Sequence, residues 1–221
     1  MLLISIDGAC RRNGKPDCVS SGGVFIQMLD EMSNLRDTAT QSNFEKESTN
    51  QRGELLALLT ALDHIHSASL PAFIVTDSEY IFNTMTKEWL QSWPRKDWKN
   101  ATGDPIKNRD IWEAILQAYN KCADVTFYHI KGHVISFGAV TAKNLVDKDP
   151  TGKILLDEVY KKYDEALANR NKQDKILAAN DLSLRNNGYK LDPPMLRRFV
   201  AANIVADILA TVCVDAADMK G

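Results

Sequence analysis

Apolar and polar positions along the chain fall into short strand-like runs and longer stretches with helical spacing. LLISI (2–6) predicts a strand closed by the turn-rich DGACRRNGKPD, and GGVFIQML (22–29) predicts a second. The polar segment 33–49 is compatible with a third strand. From about Arg52, GELLALLTALDHIHSA places Leu55, Leu58, Leu59, Leu62 and Ile65 on one helical face. After Pro71, AFIVTD (72–77) is a short strand rich in β-branched residues, and a helix is expected from about Ser78. WLQSWPRKDWK (89–99) is aromatic and basic together; Asp110 to Cys122 predicts a helix and VTFYHIKG (125–132) a strand. Strands come first, then strands and helices alternate, so the predicted class is α/β (α+β) with a mixed sheet.

Beyond His133 the pattern changes. Residues 134–200 are rich in charge, Asn and Lys, with helix expected between about Thr151 and Asn180 and a turn-rich break at NNGYKLDPP (186–194). The final helix, AANIVADILATVCV (201–214), is almost wholly apolar, and Asp207 is its one charge. Residues 1–221 are therefore expected to form one domain, with 140–198 as a helical insertion within it.

Composition adds bounds. A chain of 221 residues, 44% hydrophobic and 25% charged, is ordinary for a globular protein. A formal net charge of −2 gives no global signal for nucleic acid, although a local basic patch can still bind phosphates. Cys10, Cys18, Cys122 and Cys213 show no CxxC spacing, so reduced thiols in a cytoplasmic compartment are expected. The apolar run before Asp7 is too short for a signal peptide or a membrane span, and no membrane partner is expected.

Four acids stand in apolar settings. Asp7 ends the first strand on the face of Leu3 and Ser5, and Asp77 ends another on the face of Val75 and Phe73. Glu54 opens a helix on the face of Leu58, Ala61 and Leu62; Asp207 shares a face with Val200, Ile204, Ala210 and Val214. Singly, each has an ordinary explanation, because acids favour helix N-termini and strand ends often carry Asp. Together, like charges pointed at a core margin call for a cation, and an all-oxygen ligand set suits Mg²⁺ or Mn²⁺ rather than zinc.

IDGACRRNG, TNQRGELLALLTAL, VTDSEYI, WKNATGDPIKNRDIW and HIKGH resemble, in order and at compatible spacings, the successive motifs of ribonuclease H type 1, across about residues 1–135. The resemblance implies a ribonuclease H-like fold, a mixed five-stranded sheet flanked by helices. It also implies an endoribonuclease that cleaves the RNA strand of RNA–DNA hybrids with two Mg²⁺ ions, Mn²⁺ being a substitute, and leaves 5′-phosphate and 3′-hydroxyl ends. The family's first three carboxylates map onto Asp7, Glu54 and Asp77. Its fourth lies on a helix resembling N-x-x-A-D-x-L-A soon after the GH loop, where GAVTAKNLVDKDP does not match. The pattern returns downstream as NIVADILA, which makes Asp207 the preferred fourth acid. Asp147 is the rival, with the wrong spacing from Asn144 and with Pro150 close behind.

By the same resemblance His133 assists proton transfer or product release. Asn13, Asn50 and Gln51 resemble minor-groove contacts, Tyr80, Trp89 and Trp93 the DNA-strand channel, and Thr49 and Asn108 a DNA-phosphate pocket. Arg95, Lys96, Lys99 and Lys107 add local positive charge. Glu47 stands where some relatives carry Arg, and Pro94 interrupts the basic stretch. The chain starts directly on the first strand of the resemblance, so no separate N-terminal hybrid-binding domain is expected, and it is expected to act as a monomer. The insertion could shield the site, reach substrate through Lys143, Lys148, Lys153, Arg197 or Arg198, or bind an unknown partner. Two alternatives remain at this stage: a catalytically weak or inactive hybrid-binding protein, and a nuclease of the same fold acting on another nucleic acid.

Overall fold

The computed structural model describes residues 1–219, with side chains at all of these but 139, 140, 179, 181–183 and 185. Five strands form one mixed sheet: β1 (Leu2–Arg11), β2 (Val19–Leu29), β3 (Leu35–Lys46), β4 (Ala72–Thr76) and β5 (Val125–His129). Their order is β3-β2-β1-β4-β5. β1 pairs antiparallel with β2 and parallel with β4, so the strand bearing Asp7 is central.

Strand alternation sends Leu2, Ile4 and Ile6 to one face of the sheet, beneath α1 (Asn50–Ala68) and α4 (Arg109–Tyr119). Leu3 goes to the other face, with Phe25 and Val75. That second face is covered by α8 (Pro193–Asp218), backed by α6 (Lys153–Ala168), with α5 (Ala139–Lys148) alongside and α7 (Arg170–Asn186) between α6 and β5. The remaining helical pieces, α2 (Glu79–Thr86) and α3 (Trp89–Ser92), follow β4 and lead through a 3₁₀ turn at Pro94–Lys96.

α8 reaches the sheet because both surfaces are small. Ala202, Ala206 and Ala210 are buried against a strand face that carries Ser21 and Gly23. A Cβ on Gly23 would lie 2.6 Å from the Ala210 nitrogen and closer still to the Ala206 carbonyl oxygen, and Ser21 Oγ donates to the Ala210 carbonyl at 2.5 Å. The adjacent Gly22 does the same for α1: its Cβ would lie 2.7 Å from the Ala57 nitrogen. One glycine pair thus seats helices on both faces of β2.

α8 begins at Pro193, capped by Asp192, whose carboxylate accepts from the Met195 N–H at 2.7 Å. Its far end is tied to the β1–β2 hairpin by Arg11–Asp215 (2.6 Å) and Arg12–Asp218 (2.5 Å). By length and hydropathy α8 could cross a membrane, but 67% of its apolar stretch is buried, as a core helix requires.

Four expectations need correction. β1 continues past Asp7 to Arg11, because backbone pairing from Asp7↔Gly23 to Arg11↔Val19 sustains a strand that its side chains do not advertise. Glu54 does not open its helix. α1 starts at Asn50, with the Thr49 hydroxyl accepting from the Arg52 N–H at 3.3 Å, and Glu54 falls in the second turn. Cys10 and Cys18 are bridged rather than both free, since the hairpin brings their Cα atoms to 6.8 Å. The helix bearing Asp207 starts at 193, inside the stretch assigned to the insertion.

Candidate active site

Four carboxylates from four elements converge at one end of the sheet. Asp7 sits mid-strand in β1, Glu54 one turn into α1, Asp77 directly after β4, and Asp207 midway along α8. Asp7 is 6% exposed; its Oδ1 accepts the Gly8 N–H at 2.6 Å, while the buried Oδ2 accepts no hydrogen bond among the described residues. Burial holds the Asp7 carboxyl well above the usual carboxylate range, and Asp77, Asp207 and Glu54 push it further the same way. Burial also raises Glu54, Asp77 and Asp207, and Asp77 adds to the shift of both Glu54 and Asp207. His133 opposes the shift at Asp77 and Asp207.

Glu54 is fixed from two sides. Ser78 Oγ donates to its Oε2 at 2.6 Å and Asn50 Nδ2 to its Oε1 at 3.2 Å. Ser78 also caps α2 by accepting from the Ile81 N–H, so one hydroxyl links the start of that helix to Glu54. In the sequence Ser78 stands out only as a Ser directly after the strand-end Asp77 that opens a helix, which does not mark it as a support for Glu54.

The loop after β5 closes the other side. A Cβ on Gly132 would overlap Asp77 Oδ2, so any larger residue there would displace the Asp77 carboxylate. His133 adopts φ 55°, in the left-handed region, and places Nδ1 3.7 Å from Asp207 Oδ2. Its side chain is 74% exposed, at the lip of the cluster. The rival acid, Asp147, lies on the exposed face of α5 and pairs with Lys143.

The donor set suits hard divalent cations: carboxylate oxygens throughout, one of them a buried orphaned acceptor. Among the described residues, no group of three or more His, Cys, Asp or Glu side chains is arranged to hold a metal ion.

The expected substrate contacts divide. Exposed Asn13 accepts from the Asn50 N–H at 3.4 Å, and Asn108 Nδ2 donates to Gln51 Oε1 at 3.1 Å, so these amides form two pairs at the start of α1. Trp89 is exposed, and Tyr80 is partly so, its hydroxyl accepting from Trp112 Nε1 at 3.0 Å. Both line a cleft of about 650 Å³ with Gln51, Lys96, Lys99 and Lys107. Trp93 is only 6% exposed and packs between Trp98 and Trp112, so its bulk supports the cleft floor instead of offering a stacking face. Thr49 spends its hydroxyl on the α1 cap. Arg52, within the same motif, bridges Glu45 (2.7 Å) and Asp110 (2.9 Å) and locks α1 to β3 and α4. Of the basic residues in and around the insertion, Lys143, Lys153 and Arg197 are paired with Asp147, Asp157 and Asp164, and Arg198 donates to Gln27.

Comparison with known proteins bears on the family and the fold. The profile of the RNase H family matches residues 2–148. Ribonuclease H of Roseobacter denitrificans is 37% identical over 132 residues, 60% of this chain and 83% of the relative. Ribonuclease H of Lachnoclostridium phytofermentans is 33% identical over 132 residues, 60% of this chain and 80% of the relative. Among solved structures, LC9-RNase H1, described as a type 1 RNase H with the type 2 active-site motif, superposes with TM-score 0.52 at 26% identity, over 60% of this chain and 63% of that one. The PFV RNase H domain shares the fold, with TM-score 0.51 at 20% identity, over 69% of this chain and 90% of that domain. The profile match takes in Asp7, Glu54, Asp77, His133 and Asp147 and stops before α8, so Asp207 rests on the geometry described above. With well over half its length matched, the chain belongs to the ribonuclease H family.

Proposed function

We propose that this protein is an endoribonuclease that hydrolyses the RNA strand of RNA–DNA hybrids and leaves 5′-phosphate and 3′-hydroxyl ends. The observation that carries the reading is the convergence of Asp7, Glu54, Asp77 and Asp207, all held high by burial, with His133 at their rim. Relatives named ribonuclease H, at 33–37% identity, support the activity class.

Asp7, Glu54, Asp77 and Asp207 would hold two Mg²⁺ ions, with Mn²⁺ able to replace them. The chemistry such a pair supplies when bound is activation of water and stabilisation of the departing 3′ oxygen. The chain does the rest. Asp7, central and buried, keeps its Oδ2 clear of hydrogen bonds to the described residues and so free for a cation. Ser78 and Asn50 keep both oxygens of Glu54 aimed. His133, exposed beside Asp207, is placed to move a proton at the leaving oxygen or to ease product out.

Strand choice falls to the amide set Asn13, Asn50, Gln51 and Asn108, which donates and accepts without charge and so suits 2′-hydroxyls and groove edges. Trp89, Tyr80 and the lysines of the adjoining cleft suit a DNA strand, giving affinity that falls with salt. Residues 140–192 then form a helical insertion inside one catalytic domain. The test is cleavage of a labelled RNA–DNA hybrid in Mg²⁺ beside DNA and RNA duplexes. Cleavage confined to the hybrid's RNA strand supports the reading, and DNA-duplex cleavage at a similar rate overturns it.

A further inference from the structure

We infer that Asn180, on α7 of the insertion, is a positioning residue that holds the 130–133 loop, and through it His133 and Gly132, in register with Asp77 and Asp207. The inference rests on the function proposed above.

The sheet's last rung at this edge is the Ile130 N–H donating to the Thr76 carbonyl at 3.1 Å. The next backbone N–H, of Lys131, donates to Asn180 Oδ1 at 3.0 Å. Asn180 is fully buried, and its Nδ2 donates to the Ile176 carbonyl at 2.9 Å, which fixes which end of the amide faces the loop. A buried amide among apolar side chains costs stability unless its bonds are made, so an apolar residue would serve mere packing as well. α7 is in any case attached elsewhere: Ile176 and Leu184 lie in the core, and just beyond the helix the Tyr189 ring packs tilted against Tyr128 of β5, with centroids 4.5 Å apart.

What Asn180 adds is a fixed acceptor for a loop that carries two demanding positions. Gly132 leaves Asp77 no spare room, and His133 sits in a left-handed conformation 3.7 Å from Asp207. A small shift at Lys131 is therefore felt at two carboxylates and at the proton-handling side chain. The long route from His133 to α8 acquires a purpose: it supplies the brace for the loop that it leaves.

The test is Asn180→Leu, which keeps the volume and removes the acceptor. Exchange of the Lys131 amide should quicken by roughly tenfold while the amides of Ile4 and Val75 stay protected. On hybrid in Mg²⁺, kcat should fall by about tenfold with KM little changed. A variant that loses only thermal stability, with wild-type kcat while folded, overturns the inference. Should Asn180→Leu fail to fold, the wild-type protein decides: a Lys131 amide that exchanges as freely as an exposed loop amide overturns the brace, and one protected like β5 supports it. Wild-type cleavage run alongside separates the two claims. An inert wild type refutes the proposed function, while exchange at Lys131 still judges the brace.

Discussion

Replacing Gly23 by Ala tests the seat of α8 with one methyl group. The new Cβ would stand 2.6 Å from the Ala210 nitrogen and nearer to the Ala206 carbonyl oxygen, both helix backbone atoms that cannot rotate aside. Relief to ordinary carbon contact requires α8 to back away from β2 by roughly 1 Å. Overpacking of this kind costs about 1–3 kcal/mol, against which Ala regains about 0.5–1 kcal/mol of strand entropy, for a net loss of about 0–2.5 kcal/mol. The kinetic effect should be larger, because Asp207 follows Ala206 directly and moves with it; a displacement near 1 Å costs on the order of 10²-fold in rate. Urea unfolding gives the first quantity and cleavage of a labelled RNA–DNA hybrid gives the second. Gly103→Ala is the control: Gly103 has φ +89° with open space around a Cβ, so that variant should lose stability without losing rate. If Gly23→Ala keeps wild-type stability and rate, or loses no more rate than Gly103→Ala, then α8 does not position the catalytic centre.

Further outcomes follow from the charges. Asp7→Asn should raise the melting temperature of the metal-free protein at neutral pH, because the folded-state carboxyl is raised above its unfolded value and its ionised form burdens the fold. In the metal-free wild type that burden should ease as pH falls through the raised value towards the ordinary carboxylate range, and Mg²⁺ should stabilise wild type far more than Asp7→Asn. Arg52 holds Glu45 and Asp110 below the usual range, so their contribution is full above the unfolded carboxylate values and lost as pH falls through the depressed ones. Arg52→Met should flatten that acid limb in a pH series of melting curves.

Much of the architecture was legible in pattern. Alternation in LLISI and the leucine spacing after Arg52 located the central strand and the helix on its first face, since burial imposes those periods directly. The extension of β1 to Arg11 was not legible, because backbone pairing to β2 holds it and side-chain hydrophobicity does not. Trp93 was ambiguous in sequence for a similar reason: an aromatic beside basic residues reads alike whether its ring faces solvent or lies under Trp98 and Trp112. The acids of the site stood out as charges among apolar neighbours, but their supports did not. Ser78, Gly132 and Asn180 act through distances between segments remote in the chain, and no local spacing encodes those. The Cys10–Cys18 bridge likewise depends on hairpin register and not on a cysteine motif.

The central claim is that the last carboxylate of the site comes from α8, beyond the insertion. Asp207→Asn and Asp147→Asn, each confirmed folded by its melting curve, should be compared in single-turnover cleavage of an RNA–DNA hybrid in Mg²⁺. The account predicts a loss of roughly 10²- to 10³-fold for Asp207→Asn, whose carboxylate lies in the cluster beside His133, and a wild-type rate for Asp147→Asn, whose carboxylate is exposed beside Lys143. Full activity in Asp207→Asn with loss in Asp147→Asn would contradict it.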